Sequence, residues 1–257
     1  MNDAFWRTRP GLAGGIDKDG SRAASLLASG FGSVEFGTVT PHAVPGHNPG
    51  VRALADRLSD IDRTGIDHRL DARIGVSLGA GMDAAPTGLA AEWLAAMPIA
   101  WGVADYLCFN LSARAYRPLL DEAHAALLIE AIGSIVQMRE RLTHRSGRRV
   151  AVLLKMPLGT MDAASQTRLR RISTIGLDAL ITVLPESGER LAALAAAAAI
   201  CRQGTPLIAV GGIRTAEDVR AVLAAGAAGI QVHGAFVERG TDCLPPLLEG
   251  MAAAMCA

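Results

Sequence analysis

Eight times along the chain a short run of apolar, often β-branched residues gives way to a longer Ala/Leu-rich segment with helical spacing, and this alternation limits the fold more than any other feature. The runs cover residues 11–16, 33–39, 73–78, 106–111, 150–156, 179–184, 206–210 and 229–233. Helices are expected after each run except the second. The 257 residues suffice for one large core, so the sequence predicts a single (β/α)8 (TIM) barrel with residues 1–257 as one domain. Local signals agree with it. Residues 121–144 read as a long amphipathic helix, and the alanine-dominated stretch 191–200 as another. Thr215, Ala216, Glu217 and Asp218 read as a capping box that opens the seventh helix, which Gly226 ends. Gly30 and Gly176 fall where a left-handed C-cap is expected. Residues 42–71 are the least regular part and read either as a lid or as a surface loop.

A formal net charge of zero and a pI near 7 give no electrostatic reason to expect nucleic acid, which leaves a small molecule as the expected ligand. Cys108, Cys201, Cys243 and Cys256 lack metal-site or CxxC spacing and read as free thiols in a reducing cytoplasm. Residues 1–10 contain Asp3, Arg7 and Arg9 and no apolar h-region, and no apolar run reaches membrane-spanning length, so a cytoplasmic protein without membrane contact is expected. Many barrels form homodimers, and no residue here decides for or against one.

In a barrel the ligand site lies at the C-terminal ends of the strands. The polar residues that end the runs are Asp17 and Lys18, Thr38 and Thr40, Ser77, Asn110 and Ser112, Lys155, Thr182, Gly211 and Gly212, and His233 with Gly234. Of the 25 basic residues only Lys18 and Lys155 are lysines, and both fall at this face. A codon bias towards arginine would explain their rarity but not their placement, whereas a lysine offers a compact, tunable ammonium. Asn110 is one of three asparagines and lies within an apolar run; its amide needs partners, either a ligand or neighbouring backbone. Gly211 and Gly212 let the backbone approach an anion, and with Gly234 they mark the phosphate position common in this fold, beside His233. Lys155 would favour a reduced flavin electrostatically, or it could form a Schiff base with a carbonyl substrate.

Taken together, these residues resemble the dihydroorotate dehydrogenases. Residues 11–20 (GLAGGIDKDG) look like that family's first strand and loop, and residues 30–41 (GFGSVEFGTVTP) are a specific match to its second. The similarity resumes at Asn110, Lys155, Thr182, residues 210–213, residues 225–227 and Gln231, so it runs the length of the chain in order. The resemblance implies FMN, held by residues matching Gly14, Gly15, Ile16, Asp17, Lys18, Thr38, Asn110, Lys155, Thr182, Gly212, His233 and Gly234, with Lys18, Asn110 and Lys155 nearest the chemistry. Ser77 stands where the family commonly has asparagine, and His233 where aromatic or small polar residues are usual.

The substrate side departs further. The family's serine or cysteine base aligns with Ala113, a methyl group that cannot abstract a proton. Residues 63–68 (RTGIDH) replace the asparagine-rich loop that would clamp orotate, and Val183 and Leu184 replace an Asn-Thr pair. The N-terminal helical extension of quinone-using members has no counterpart in this sequence. Three readings follow: an FMN-dependent oxidoreductase acting on a substrate other than dihydroorotate or, as the lesser alternative, on dihydroorotate itself; a flavin- or phosphate-binding scaffold without turnover; and a lysine-dependent lyase or isomerase. Arg114 and Arg117, near the site, suggest an anionic substrate; solvated loop arginines are the plain alternative.

Overall fold

The computed structural model describes residues 5–61, 72–81, 85–186, 188–202 and 204–255, without the side chains of Phe5, Arg114 and Ala115. Eight parallel strands close into a barrel in sequence order: β1 (Gly11–Leu12), β2 (Ser33–Val39), β3 (Arg73–Leu78), β4 (Tyr106–Asn110), β5 (Ala151–Pro157), β6 (Ala179–Val183), β7 (Leu207–Val210) and β8 (Gly229–Val232). Closure is made by β1 pairing with β8, Gly11 opposite Gln231 and Leu12 opposite Val232. The expected first strand is cut short: after Leu12 the chain leaves the ladder, retaining one bond from Ala13 N–H to the Val232 carbonyl.

Helices α1 (Phe5–Thr8), α2 (Ala23–Leu27), α3 (Gly50–Ser59), α4 (Leu89–Ala100), α5 (Ala125–Ser146), α6 (Ala163–Ser173), α7 (Arg190–Cys201), α8 (Ala216–Ala224), α9 (Gly234–Arg239) and α10 (Leu244–Met255) accompany the strands. One expectation needs correction: a helix does follow the second strand. Its start is hidden in the sequence by the Pro and Gly residues of 45–50, where the Asn48 side-chain carbonyl accepts from Thr40 N–H, Thr40 hydroxyl and Gly50 N–H and turns the chain into α3. The predicted 121–144 helix starts at Ala125, after two short 3-10 segments. Thr215 and Asp218 form the expected capping box at the start of α8.

Strand residues alternate between two cores. Val34, Phe36, Leu107, Phe109, Val152, Leu154, Leu180 and Ile230 face the helices and belong to the larger cluster. Tyr106, Cys108, Leu153, Ile181, Ile208 and Val210 fill the lumen together with Trp6 of α1. The lumen is packed rather than hollow: a Cβ at Gly75 would lie 2.1 Å from the Tyr106 ring, so the neighbouring strand gives up its side chain for that ring. Cys108, Cys201 and Cys243 are buried free thiols; Cys256 lies outside the described residues. No helix among the described residues is long and apolar enough to cross a membrane.

Candidate active site

Inside the lumen, among its apolar side chains, lies a set of buried polar groups. Glu35 of β2 and Lys155 of β5 are 1 % and 6 % exposed, with Nζ of Lys155 3.4 Å from Oε1 of Glu35. The other carboxylate oxygen accepts from the Gln231 amide of β8 at 3.1 Å, and that amide also donates to the Tyr106 hydroxyl of β4 at 3.4 Å. Four strands are thereby tied across the barrel. Burial, and next the negative charge of Glu35, push the Tyr106 hydroxyl well above its ordinary pKa, and burial followed by Glu35 does the same to the Cys108 thiol, against the pull of Lys155. Neither group is therefore poised to ionise.

A second chain of groups lies at the strand ends. The Asn110 amide donates to the Thr38 hydroxyl at 2.7 Å, and that hydroxyl lies 2.9 Å from the Ser77 hydroxyl. The Asn110 carbonyl oxygen accepts from both the backbone N–H and the hydroxyl of Ser112, at 2.8 and 2.6 Å. So the amide is partly satisfied by its own loop, as the plainer reading of the sequence allowed, and one amide hydrogen remains to be placed. Thr182 is buried and its hydroxyl donates to the Ile208 carbonyl.

The loop after β1 is pinned to β2: Gly15 N–H donates to the Gly37 carbonyl and Gly37 N–H to the Asp17 carbonyl. The Asp17 carboxylate turns into its own loop, accepting from the N–H groups of Asp19, Gly20 and Arg22, so its side chain shapes the loop. Lys18, by contrast, is exposed and makes no ion pair among the described residues. The two lysines are thus not equivalent: one is locked beneath the site, the other free at its rim. Gly14 is half-buried, and a Cβ there would lie 2.7 Å from Oε1 of Glu35, which fixes the glycine by contact with the buried carboxylate. Ile16 is half-buried against the larger core.

On the opposite wall Gly211 and Gly212 both have positive φ, 110° and 65°, and their N–H groups find no acceptor among the described residues. Such a pair of free amides is a nest for an anion. The loop is braced from behind. Arg190 donates to the Gly212 carbonyl and pairs with Asp218, and Arg214 is held by Glu238. Although burial raises the Asp218 pKa, hydrogen bonds from Arg214, Thr215 and Arg190 outweigh it and bring the value down. His233 stands against Gly15, with Nε2 3.4 Å from where a Cβ would sit. Partial burial, and then the Lys155 ammonium, lower its pKa below 6.5.

Beside this wall a cavity of about 590 Å³ opens between the loops after β4, β5 and β6, with Ser112 and Thr182 in its lining. Outside the cavity lining, Tyr116 donates to the Ala80 carbonyl from a position against Gly79. Residues 63–68 and the Arg114 side chain, both singled out in the sequence, lie outside the described residues. Glu35 was not singled out as a site residue, although a carboxylate inside an apolar strand was signal enough. Arg168, which lines the cavity, carried no sequence signal; only the packed loops bring it here. No group of His, Cys, Asp and Glu suited to a metal ion occurs among the described residues.

No family model matches the sequence. The dihydroorotate dehydrogenase (quinone) of Shewanella frigidimarina is 30 % identical over 284 residues, covering 96 % of this chain and 83 % of the relative. That of Shewanella piezotolerans is 30 % identical over 277 residues, covering 93 % and 81 %. Among solved structures, the Eimeria tenella enzyme DHODH in complex with ferulenol superposes with a TM-score of 0.78 over 98 % of this chain and 82 % of its own. At 22 % identity that likeness speaks for the fold.

Proposed function

The chain belongs to the dihydroorotate dehydrogenase family, and on that footing we propose that it is an FMN-dependent oxidoreductase acting on a CH–CH bond of an anionic small molecule other than dihydroorotate. The observation that carries the reading is the convergence of three features at one face: the acceptor-free amides of Gly211 and Gly212, the Lys155 ammonium held by Glu35, and the Thr38–Ser77–Asn110 chain. These fit the cofactor. Two adjacent amides at positive φ suit a phosphate, and a cation together with amide and hydroxyl groups suits a flavin ring that has both donors and acceptors along its edge.

When bound, FMN supplies a hydride acceptor. The chain's own residues would do the rest. Gly211 and Gly212, with the first turn of α9 at Gly234, would hold the phosphate, while Arg190, Asp218 and Arg214 keep that loop rigid. Lys155 would offer positive charge to the ring, its direction set by Glu35, and Gln231 would steady the carboxylate. Thr38, Ser77 and Asn110 would bond the ring edge. Lys18, exposed in the loop after β1, would meet charged groups at the mouth.

Proton abstraction from dihydroorotate would need a base near the substrate carbon. Ala113 offers none, and the Ser112 hydroxyl donates to an amide oxygen that cannot take the proton onward. The purified protein should therefore be yellow and should not bleach when dihydroorotate is added without oxygen. Bleaching would overturn the choice of substrate; a colourless protein that takes up no added FMN would overturn the cofactor and with it the function. A second reading, a flavin protein without turnover, draws on Ala113, and a flavin bleached by dithionite but by no organic donor would favour it. Neither lysine lines the cavity, and Lys155 is engaged with Glu35, which counts against lysine-dependent lyase chemistry.

A further inference from the structure

We infer that the cavity between the loops after β4, β5 and β6 is the substrate pocket, and that it selects an apolar carboxylate, anchored by Arg168 with Arg117 at the rim, in place of a dihydropyrimidine. The inference rests on the oxidoreductase reading above and names its substrate class.

Three observations lead to it. The walls are apolar, built largely by Leu120, Met156, Leu158, Met161, Leu169 and Leu184. The cations on the lining form no salt bridge among the described residues, and Arg168 bears electrostatically only on Asp162, an exposed carboxylate outside the lining. Among the described residues the Arg168 side chain donates to the Leu120 carbonyl and the Ser165 hydroxyl, and its Nε–H is sealed in the packing without an acceptor. Arg117 is exposed and has no hydrogen bond or ion pair among the described residues. A guanidinium on a mostly apolar wall with no salt bridge among the described residues favours an anionic ligand, and a planar carboxylate matches the geometry of its terminal nitrogens. The one carboxylate on the lining, Glu186, is exposed and bears electrostatically on Arg214 behind the glycine loop.

The third observation concerns what the pocket cannot bind well. A dihydropyrimidine ring presents alternating N–H and C=O groups along its edge. Val183 and Leu184 face the cavity with no polar side-chain atom, and the backbone N–H of Leu184 and carbonyl of Val183 are already spent on Val210 and Leu158. The hydroxyls nearest the barrel are also engaged, Ser112 with Asn110 and Thr182 with Ile208. A polar ring here would leave its own groups unpaired, whereas an apolar body loses nothing.

The test uses 3-phenylpropanoate and its uncharged amide as probes of equal shape, read by perturbation of the flavin spectrum in the FMN-loaded protein and by thermal shift in the protein without added FMN. The carboxylate should bind about tenfold more tightly than the amide, a difference of about 1.4 kcal/mol. Arg168→Gln should bring the two within about threefold of each other, and Arg117→Gln should narrow the gap by a smaller factor. Arg117 has no partner to lose, so its variant keeps the test sound should Arg168→Gln fold poorly. Equal binding of acid and amide by the wild type would overturn the inference, as would an acid preference untouched in both variants. If the protein takes up no FMN yet shows the Arg-dependent thermal shift, the oxidoreductase reading falls and the carboxylate pocket stands. If it takes up FMN and shows no acid preference, the pocket falls alone.

Discussion

His233 stands in contact distance of Gly15 at the mouth of the barrel, where partial burial and the nearby Lys155 ammonium disfavour its charged form. Its folded pKa lies below the ordinary value of 6.5. The favourable contribution of the neutral ring is therefore complete above that value and is lost as the pH falls through the folded pKa. His233→Gln should flatten the acid limb of a plot of Tm against pH below about 6.5 and leave the neutral range unchanged; an identical acid limb would remove this role. A bound phosphate would act in the opposite sense. The imidazole NMR titration should move upward when FMN is added, and no movement would separate His233 from the phosphate site. At this scale the sequence was informative where a residue type is rare. Two lysines and three asparagines drew attention to Lys155 and Asn110, and both join polar networks at the predicted face. Arginine is so common here that nothing distinguished Arg168 from the others.

At the scale of the element, the β7–α8 connection is held by hydrogen bonds and an ion pair that converge on one carboxylate. The Thr215 hydroxyl accepts from Asp218 N–H while the Asp218 carboxylate accepts from Thr215 N–H and Arg214 N–H and pairs with Arg190. One carboxylate thus caps a helix and anchors the loop that carries the two glycine amides. Thr215→Ala should cost about 1 kcal/mol, or roughly 2–4 °C in Tm for a chain of this size. Asp218→Ala removes both functions and should weaken FMN uptake as well; retained uptake would show that the loop holds its shape without the brace. The capping box was legible from four consecutive residues because its rule is local. The helix after β2 was not, because α3 begins in a Pro- and Gly-rich stretch whose turn is made by Asn48 reaching back to Thr40.

Across the whole molecule, the buried Glu35–Lys155–Gln231–Tyr106 set links β2, β5, β8 and β4 through the lumen. Removing one partner of a buried pair strands the other, so Lys155→Met should destabilise by about 3–5 kcal/mol. Adding Glu35→Gln removes the stranded charge while keeping an acceptor for the Gln231 amide, and the double variant should recover most of the loss in urea unfolding. Additive losses would mean that the two groups are independent despite their 3.4 Å separation. Flavin uptake should stay impaired in both variants, since each lacks the ammonium.

Periodicity and order settle the architecture without coordinates. Eight apolar runs separated by helical segments admit few closed arrangements, and the covering of parallel strands by helices is dictated by local patterning. The strand ends that carry Thr38, Asn110, Lys155 and Gly211 follow from the same pattern. What lies between loops does not. The cavity, the unanswered Nε–H of Arg168, the turning of Asp17 into its own loop and the commitment of Ser112 to Asn110 depend on segments far apart in the chain, or on a side chain choosing among equally near partners. Hydrogen-bond satisfaction is a property of the packed whole, so the sequence could nominate the groups at the barrel's mouth, and only the tertiary structure could decide which of them remain free to meet a ligand.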